Sequence, residues 1–102
     1  MTTTVHSIDL IVSNPKVRSG RPTLKGRSIM VEDVVLVMRH QVETPAEAAE
    51  WFSISLAEVH AALAYYYQNQ AAIDNRIEER IANLEAARAE YIANGGKPLL
   101  ND

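Results

Sequence analysis

The stretch from Thr44 to Gln70, TPAEAAEWFSISLAEVHAALAYYYQNQ, restricts the chain to a fold with two helices set close together. Thr44-Pro45-Ala46-Glu47 supplies an N-cap residue, a proline at the first helical position and a glutamate three residues past the cap. The Thr hydroxyl accepts a hydrogen bond from a backbone N–H that has no partner within the helix, and the Glu carboxylate accepts one from a backbone N–H at the cap. Ser55-Leu56-Ala57-Glu58 repeats the device. Between the two helices Phe52-Ser53-Ile54 leaves a turn of about three residues, the length that sets consecutive helices at a steep angle in a helix-turn-helix. Ala48, Ala49 and Phe52, then Val59, Ala62, Leu63 and Tyr66, recur at the helical period and give each helix one face to bury. The pattern predicts a helix-turn-helix. Many such units only hold helices together, so the motif does not by itself imply contact with nucleic acid.

With 102 residues the chain has the length of one domain and a small core, so a further apolar stripe calls for a second chain to cover it. Cysteine is absent, which removes disulfides, thiol chemistry and the common zinc frameworks from consideration and fits a reducing compartment. The first residues, Met-Thr-Thr-Thr-Val-His, have no basic n-region, and the apolar run from Ile8 to Val12 is interrupted by Asp9. A secretory signal and a membrane span are therefore not expected, and a cytoplasmic protein is.

The formal net charge of −3 conceals an uneven distribution. Lys16, Arg18, Arg21, Lys25 and Arg27 fall within twelve positions that contain no acid, whereas the other ninety carry five basic and thirteen acidic side chains, a formal −8. The chain reads as a basic arm on an acidic body.

Along the chain, residues 5–12 are rich in β-branched side chains and suit a short edge strand or an extended lead-in. Asn14-Pro15, Ser19-Gly20-Arg21-Pro22 and Lys25-Gly26 are turn signals, so the basic segment is expected to be an ordered loop. Ile29-Met30-Val31 reads as a second short strand leading into a helix over residues 32–41, with Val34, Val35, Val37 and Met38 as its core face. Glu32 and Asp33 in its first turn and Arg39 and His40 in its last match the helix dipole. Beyond Gln70 the stripe Ile73, Ile77, Ile81, Leu84 and Tyr91 or Ile92 predicts a further helix ending at Asn94-Gly95-Gly96, with Pro98 beyond it and fraying over residues 99–102. Gln68-Asn69-Gln70 or Asp74-Asn75 can break it from the preceding helix. The organisation expected is a helix-turn-helix domain with an N-terminal strand and basic loop over residues 1–73, and a C-terminal helical extension over residues 74–102.

Pro15, Gly20-Arg21-Pro22, Lys25-Gly26, Ile29, Val31-Glu32-Asp33-Val34 and Val59-His60-Ala61-Ala62-Leu63-Ala64-Tyr65-Tyr66 together resemble the bacterial domain-of-unknown-function family 433. The resemblance runs over residues 8–73. It implies a mainly α, homeodomain-like three-helix core behind a short β element. It also implies a partner, because members are often found beside a PIN-like nuclease and are taken to be its antitoxin; no catalytic residues are established for the family. Where the family usually reads Gly-Thr-Arg-Ile, this chain has Gly26-Arg27-Ser28-Ile29, with the arginine one position earlier.

The candidate sites follow from these features. From Leu56 to Asn75 there is no Lys or Arg, so the second helix of the motif lacks the cations that usually meet phosphates, and Glu58 would repel them. The candidate nucleic-acid or anion site is therefore the loop with Lys16, Arg18, Arg21, Lys25 and Arg27. The competing reading pairs Arg18, Arg21 and Arg27 with acids such as Glu43, Glu47 and Glu50. His6, His40 and His60 have no neighbours at metal-ligand spacing, and Asp74, Glu78, Glu79, Glu85 and Glu90 alternate with Arg76, Arg80 and Arg88 as on a solvated face. No enzyme activity, cofactor or metal is expected. Tyr65-Tyr66-Tyr67 cannot all face inward on one helix, so Tyr66 is core and the others lie on the surface or under a partner. Tyr65, Ile73, Ile77, Ile81, Leu84 and Tyr91 form the candidate interface, with a homodimer through the C-terminal helix as the simplest occupant. The function expected is a non-enzymatic binding protein, antitoxin-like or regulatory toward a nuclease. The alternatives are a stand-alone DNA-binding regulator using the basic loop, or a structural oligomerisation module.

Overall fold

A computed structural model describes residues 2–95. The cap signal at Gly96, Pro98 and the fraying expected over residues 99–102 lie outside the described residues. The chain is mainly helical, with a short two-stranded sheet near its N-terminus and a long C-terminal helix. Its order is β1 (Ile11–Val12), β2 (Thr23–Leu24), α1 (Val31–His40), α2 (Pro45–Phe52), α3 (Leu56–Gln68) and α4 (Gln70–Ala93). It divides into two compact units after Gln70. Among the described residues no helix is long and apolar enough to cross a membrane.

In the first unit β1 and β2 are antiparallel, with Ile11 opposite Leu24 and Val12 opposite Thr23. Thr23 also makes a single bridge to Met30, so the short β2 has a neighbour on each side. This revises the expected strands. Residues 5–10 are not in a strand, and Val5 and Ile8 are exposed. The strand expected at Ile29-Met30-Val31 reduces to the Met30 bridge, because the Asp33 carboxylate accepts from the Met30 backbone N–H at 3.0 Å and starts α1 at Val31. The second strand lies instead at Thr23–Leu24, inside the segment read as loop. Gly26, at φ +76°, closes the turn in which the Arg27 N–H donates to the Leu24 carbonyl at 3.0 Å.

Both expected caps form. The Thr44 hydroxyl accepts from the Glu47 N–H at 3.2 Å, and the Ser55 hydroxyl accepts from the Glu58 N–H at 3.1 Å. The Glu47 carboxylate accepts from the Glu43 N–H at 3.3 Å, whereas the Glu58 carboxylate accepts from the Ser55 N–H at 3.0 Å and completes a capping box. Between the helices Ser53 takes φ 56°, ψ 48°, and the Ile54 N–H reaches back to the Ala49 carbonyl at 2.9 Å as in a Schellman motif. Ile54, held in place by that bond, is buried.

The core of this unit is Leu24, Met30, Val31, Val34, Val35, Ala48, Ile54, Val59, Ala62 and Tyr66. Helix α3 packs on α1, α2 and β1 and so occupies its centre. Ala49, Phe52, Leu63, Val37 and Met38, read as core from periodicity, are half-buried. Tyr66 is buried and accepts a hydrogen bond from Arg39 Nη2 at 2.7 Å, while Tyr67 is exposed and Tyr65 half-buried. Helix α3 stops at Asn69, whose backbone N–H and side-chain Nδ2 both donate to the Tyr65 carbonyl at 3.0 Å. That side chain competes with helical continuation and makes α3 and α4 separate helices. Asp74 and Asn75 lie within α4.

In the second unit α4 is a single helix, with Gly95 at φ +88° just past its end. Leu24 is fully buried and Ile8 is 80% exposed. Leu24→Ala is expected to destabilise by about 2–5 kcal/mol. Ile8→Ala should change stability by less than about 0.5 kcal/mol. Urea unfolding of the two variants checks both figures.

Candidate functional site

The basic loop runs from Lys16 through β2 to Arg27, and the fold divides its five cations into two kinds. Arg21 Nη1 donates to Glu32 Oε1 at 2.9 Å, and Glu32, on the first turn of α1, is only 4% exposed. A carboxylate buried that deeply requires a charged or hydrogen-bonding partner, so Arg21 serves the core edge. Arg27 Nε donates to Glu58 Oε2 at 2.7 Å and its Nη2 to Glu58 Oε1 at 3.3 Å, so the guanidinium fork faces the carboxylate at the N-terminus of α3. Lys16, Arg18 and Lys25 are exposed, and among the described residues their side chains make no ion pair. The structure thus keeps three cations at the surface of the loop and commits two to the fold.

Local geometry explains the display of Arg18. The Val17 N–H donates to the Asn14 carbonyl at 2.9 Å and the Gly20 N–H to the Val17 carbonyl at 3.0 Å, a pair of tight turns back to back. Arg18, Ser19 and Gly20 all take positive φ, at 49°, 58° and 79°. Glycine takes that region freely, whereas each of the two side-chain-bearing residues incurs about 1–2 kcal/mol. Next to this turn Val12, Asn14, Val17, Thr23, Gly26, Arg27 and Ser28 line a cleft of about 290 Å³.

Glu58 has two duties. Its carboxylate accepts from the Arg27 guanidinium and from the Ser55 backbone and hydroxyl, and these bonds, the guanidinium first, hold its pKa down at about 2. The bond to Glu58 likewise raises the pKa of Arg27. Glu58 is therefore neutralised by a loop cation, and the repulsion of phosphate expected of it is offset. The acids weighed as partners from sequence, Glu43, Glu47 and Glu50, are not those that pair with Arg21 and Arg27. Those roles belong to Glu32, which the sequence marked only for the first turn of its helix, and to Glu58, which it marked as the capping acid after Ser55 and as a side chain that would repel phosphate.

The other candidates are placed as follows. His6, His40 and His60 are all exposed, and among the described residues no three His, Asp or Glu side chains come together in a group able to hold a metal ion. Tyr65 is half-buried on α3. On α4, Ile73 and Ile77 are buried, whereas Ile81, Leu84 and Tyr91 are exposed at 43%, 64% and 51%.

Two outcomes are expected of this loop. Because the Glu58 pKa is lowered from 4.5 to about 2 on folding, its contribution to stability is complete above the unfolded value and is lost as the pH falls from 4.5 toward about 2. Glu58→Gln should lower the melting temperature at neutral pH and flatten its dependence on pH through that window. Arg21→Ala should cost about 1.5–3 kcal/mol, the worth of a hydrogen bond to a charged group. Lys16→Ala and Lys25→Ala should each stay within about 0.5 kcal/mol. Denaturant unfolding of the three variants separates the structural from the free cations.

Comparison with curated proteins and with solved structures finds no match to the chain. Residues 11–66, more than half of the sequence, match the family described as "Protein of unknown function (DUF433)". That span contains both strands, the basic loop, α1, α2 and most of α3, so the unit that carries the loop is the unit the family defines, and the chain belongs to the DUF433 family.

Proposed function

We propose that the protein is a non-enzymatic binding protein, antitoxin-like or regulatory toward a nuclease, in which α2 and α3 act as a helix-turn-helix head and α4 is the protein-binding arm. The observation that carries this reading is the exposed apolar series on α4, where Ile81, Leu84, Tyr91 and Ile92 are 43–64% exposed along a helix otherwise interleaved with Glu and Arg. Apolar side chains at that spacing are what an amphipathic helix presents to a groove or to another helix. The nuclease as partner rests on the resemblance that links such chains to PIN-like neighbours. Without the nuclease, a second copy of α4 is the simplest cover for the series, since a two-fold pair needs no second gene.

The test has two steps. Light scattering is expected to give a dimer for the full chain and a monomer for Ile81→Asp/Leu84→Asp, with the circular dichroism of the variant unchanged. A monomeric full chain defeats the self-association. Co-expression with a PIN-like nuclease encoded beside the gene should yield a complex with suppressed nuclease activity, weakened in the same variant. The lack of such a neighbour, or of a complex with it, defeats the nuclease pairing.

A second reading is favoured by Lys16, Arg18 and Lys25, the three loop cations that make no ion pair among the described residues. In it the head also meets a phosphate backbone, through the loop and not through α3, which has no Lys or Arg. Lys16→Ala/Arg18→Ala/Lys25→Ala should then weaken binding to nucleic acid strongly. The log–log salt slope of the triple variant should be shallower by about 0.7–0.9 for every phosphate that the three side chains neutralise in the wild type. An unchanged slope rules the loop out.

A further inference from the structure

We infer that the cleft beside the basic loop takes a single unpaired nucleobase, so that the ligand of the loop is single-stranded nucleic acid and not duplex DNA. This rests on the second reading above, that the loop meets phosphate, and adds which form of nucleic acid it meets. The cleft has a volume of about 290 Å³, at the lower edge of the range of small-molecule pockets, so it holds one ring system and little more. Its lining joins the apolar residues Val12 and Val17 to the polar residues Asn14, Ser28 and Arg27. A small cleft that combines apolar residues with a few polar ones is the surround that a flat heterocycle with hydrogen-bonding edges requires.

Arg27 contributes more than charge. Its Nε and Nη2 are both engaged by Glu58, which fixes the plane of the guanidinium while leaving the side chain 40% exposed. A guanidinium held flat on a residue that lines the cleft is a stacking surface for a base and loses little freedom when the base arrives. The unpaired cations sit at matching places in the chain. Lys16 and Arg18 flank the lining residue Val17, and Lys25 precedes the lining residue Gly26. A base in the cleft would have its own phosphates led past these three side chains.

Duplex is the poorer fit for two reasons. A paired and stacked base cannot enter a cleft without unstacking, which costs a few kcal/mol. In addition, α3, the helix that would enter a major groove, has no Lys or Arg from Leu56 to Gln68. A single strand has its bases already available.

The experiment uses the full-length chain and fluorescence anisotropy at low salt. The probes are labelled oligothymidylate and oligouridylate of about a dozen nucleotides, an abasic strand with the same number of phosphates, and a duplex of the same length. The tighter-binding single strand is expected to exceed both the abasic strand and the duplex by about tenfold, the effect of one stacked base. Ser28→Phe, which fills the cleft from an exposed position, should bring the strand down to the abasic level without changing the salt slope. Abasic or duplex binding equal to that of the strand overturns the base assignment and leaves the phosphate reading standing. No binding to any probe overturns both. Displacement of the strand by thymidine or uridine monophosphate at the strand's own molar concentration overturns the strand in favour of a mononucleotide site. Unchanged strand binding in a folded Ser28→Phe variant, confirmed by circular dichroism, overturns the cleft as the place where the base sits.

Discussion

The carboxylate of Glu58 ties together the parts of the head that sequence separates. One of its faces completes the capping box at the start of α3, and the other holds the guanidinium of Arg27 across 31 positions of chain. The first bond satisfies a backbone donor that has no partner within the helix and places negative charge at the positive end of the dipole. The second fixes the turn after β2 against that helix end. Since α3 packs on α1, α2 and β1, a loop tied to its N-terminus inherits the rigidity of the whole unit. Arg27 is 40% exposed and Glu58 14%, so solvent screening keeps the pair's contribution to stability modest. Its larger effect is positional.

That tie changes what the charge distribution means. A basic arm on an acidic body suggests five equivalent cations, yet Arg21 and Arg27 are the two whose acids lie in first helical turns, at Glu32 and Glu58. Acids favoured at helix N-termini for their own sake thus serve as anchors for the loop. The remaining three, Lys16, Arg18 and Lys25, owe nothing to the fold that the described residues reveal. Arg18 is even presented on a turn of unfavourable φ. A strained, cation-bearing turn adjoining a cleft is the arrangement in which strain and function commonly coincide.

How legible these features are in the sequence depends on how local their causes are. The caps at Thr44 and Ser55 depend on residues three apart and can be read directly, as can the helix between residues 31 and 40. The αL residue between α2 and α3 is Ser53 rather than glycine, so its conformation carries no sequence signal; it is imposed by the burial of Ile54 and the bond from Ile54 to Ala49. Thr23 and Leu24 are hidden because Gly20, Pro22 and Gly26 punctuate the segment, and turn chemistry outweighs two β-compatible residues. They form a strand because tertiary pairing gives them a partner on each side. The reverse error at Ile29-Met30-Val31 has the same origin, since β-branched residues suggest a strand until the Asp33 carboxylate captures the Met30 N–H. The two ion pairs join residues 11 and 31 positions apart and cannot be read without the fold.

Helix α4 poses a separate physical question, because a partner-binding arm can be either preformed or folded by its partner. The second case imposes an ordering cost on every association, and the first does not. Composition favours the first. Ala71, Ala72, Ala82, Ala86, Ala87, Ala89 and Ala93 give the helix high intrinsic propensity, no glycine or proline interrupts Gln70–Ala93, and Glu85 sits three residues before Arg88 on one face. At 24 residues it exceeds the length at which isolated helices become marginal, about 12–15. Its exposed apolar side chains are spread over three turns from Ile81 to Ile92 and are separated by Ala, Asn, Glu and Arg, so the face is apolar enough to pair yet too interrupted to form a strong, permanent seam. Were the function proposed here to hold, that combination would have a definite consequence: a preformed arm with a modest self-interaction would give up its own copy readily, and a nuclease offering a better-matched groove would take its place without either chain having to refold.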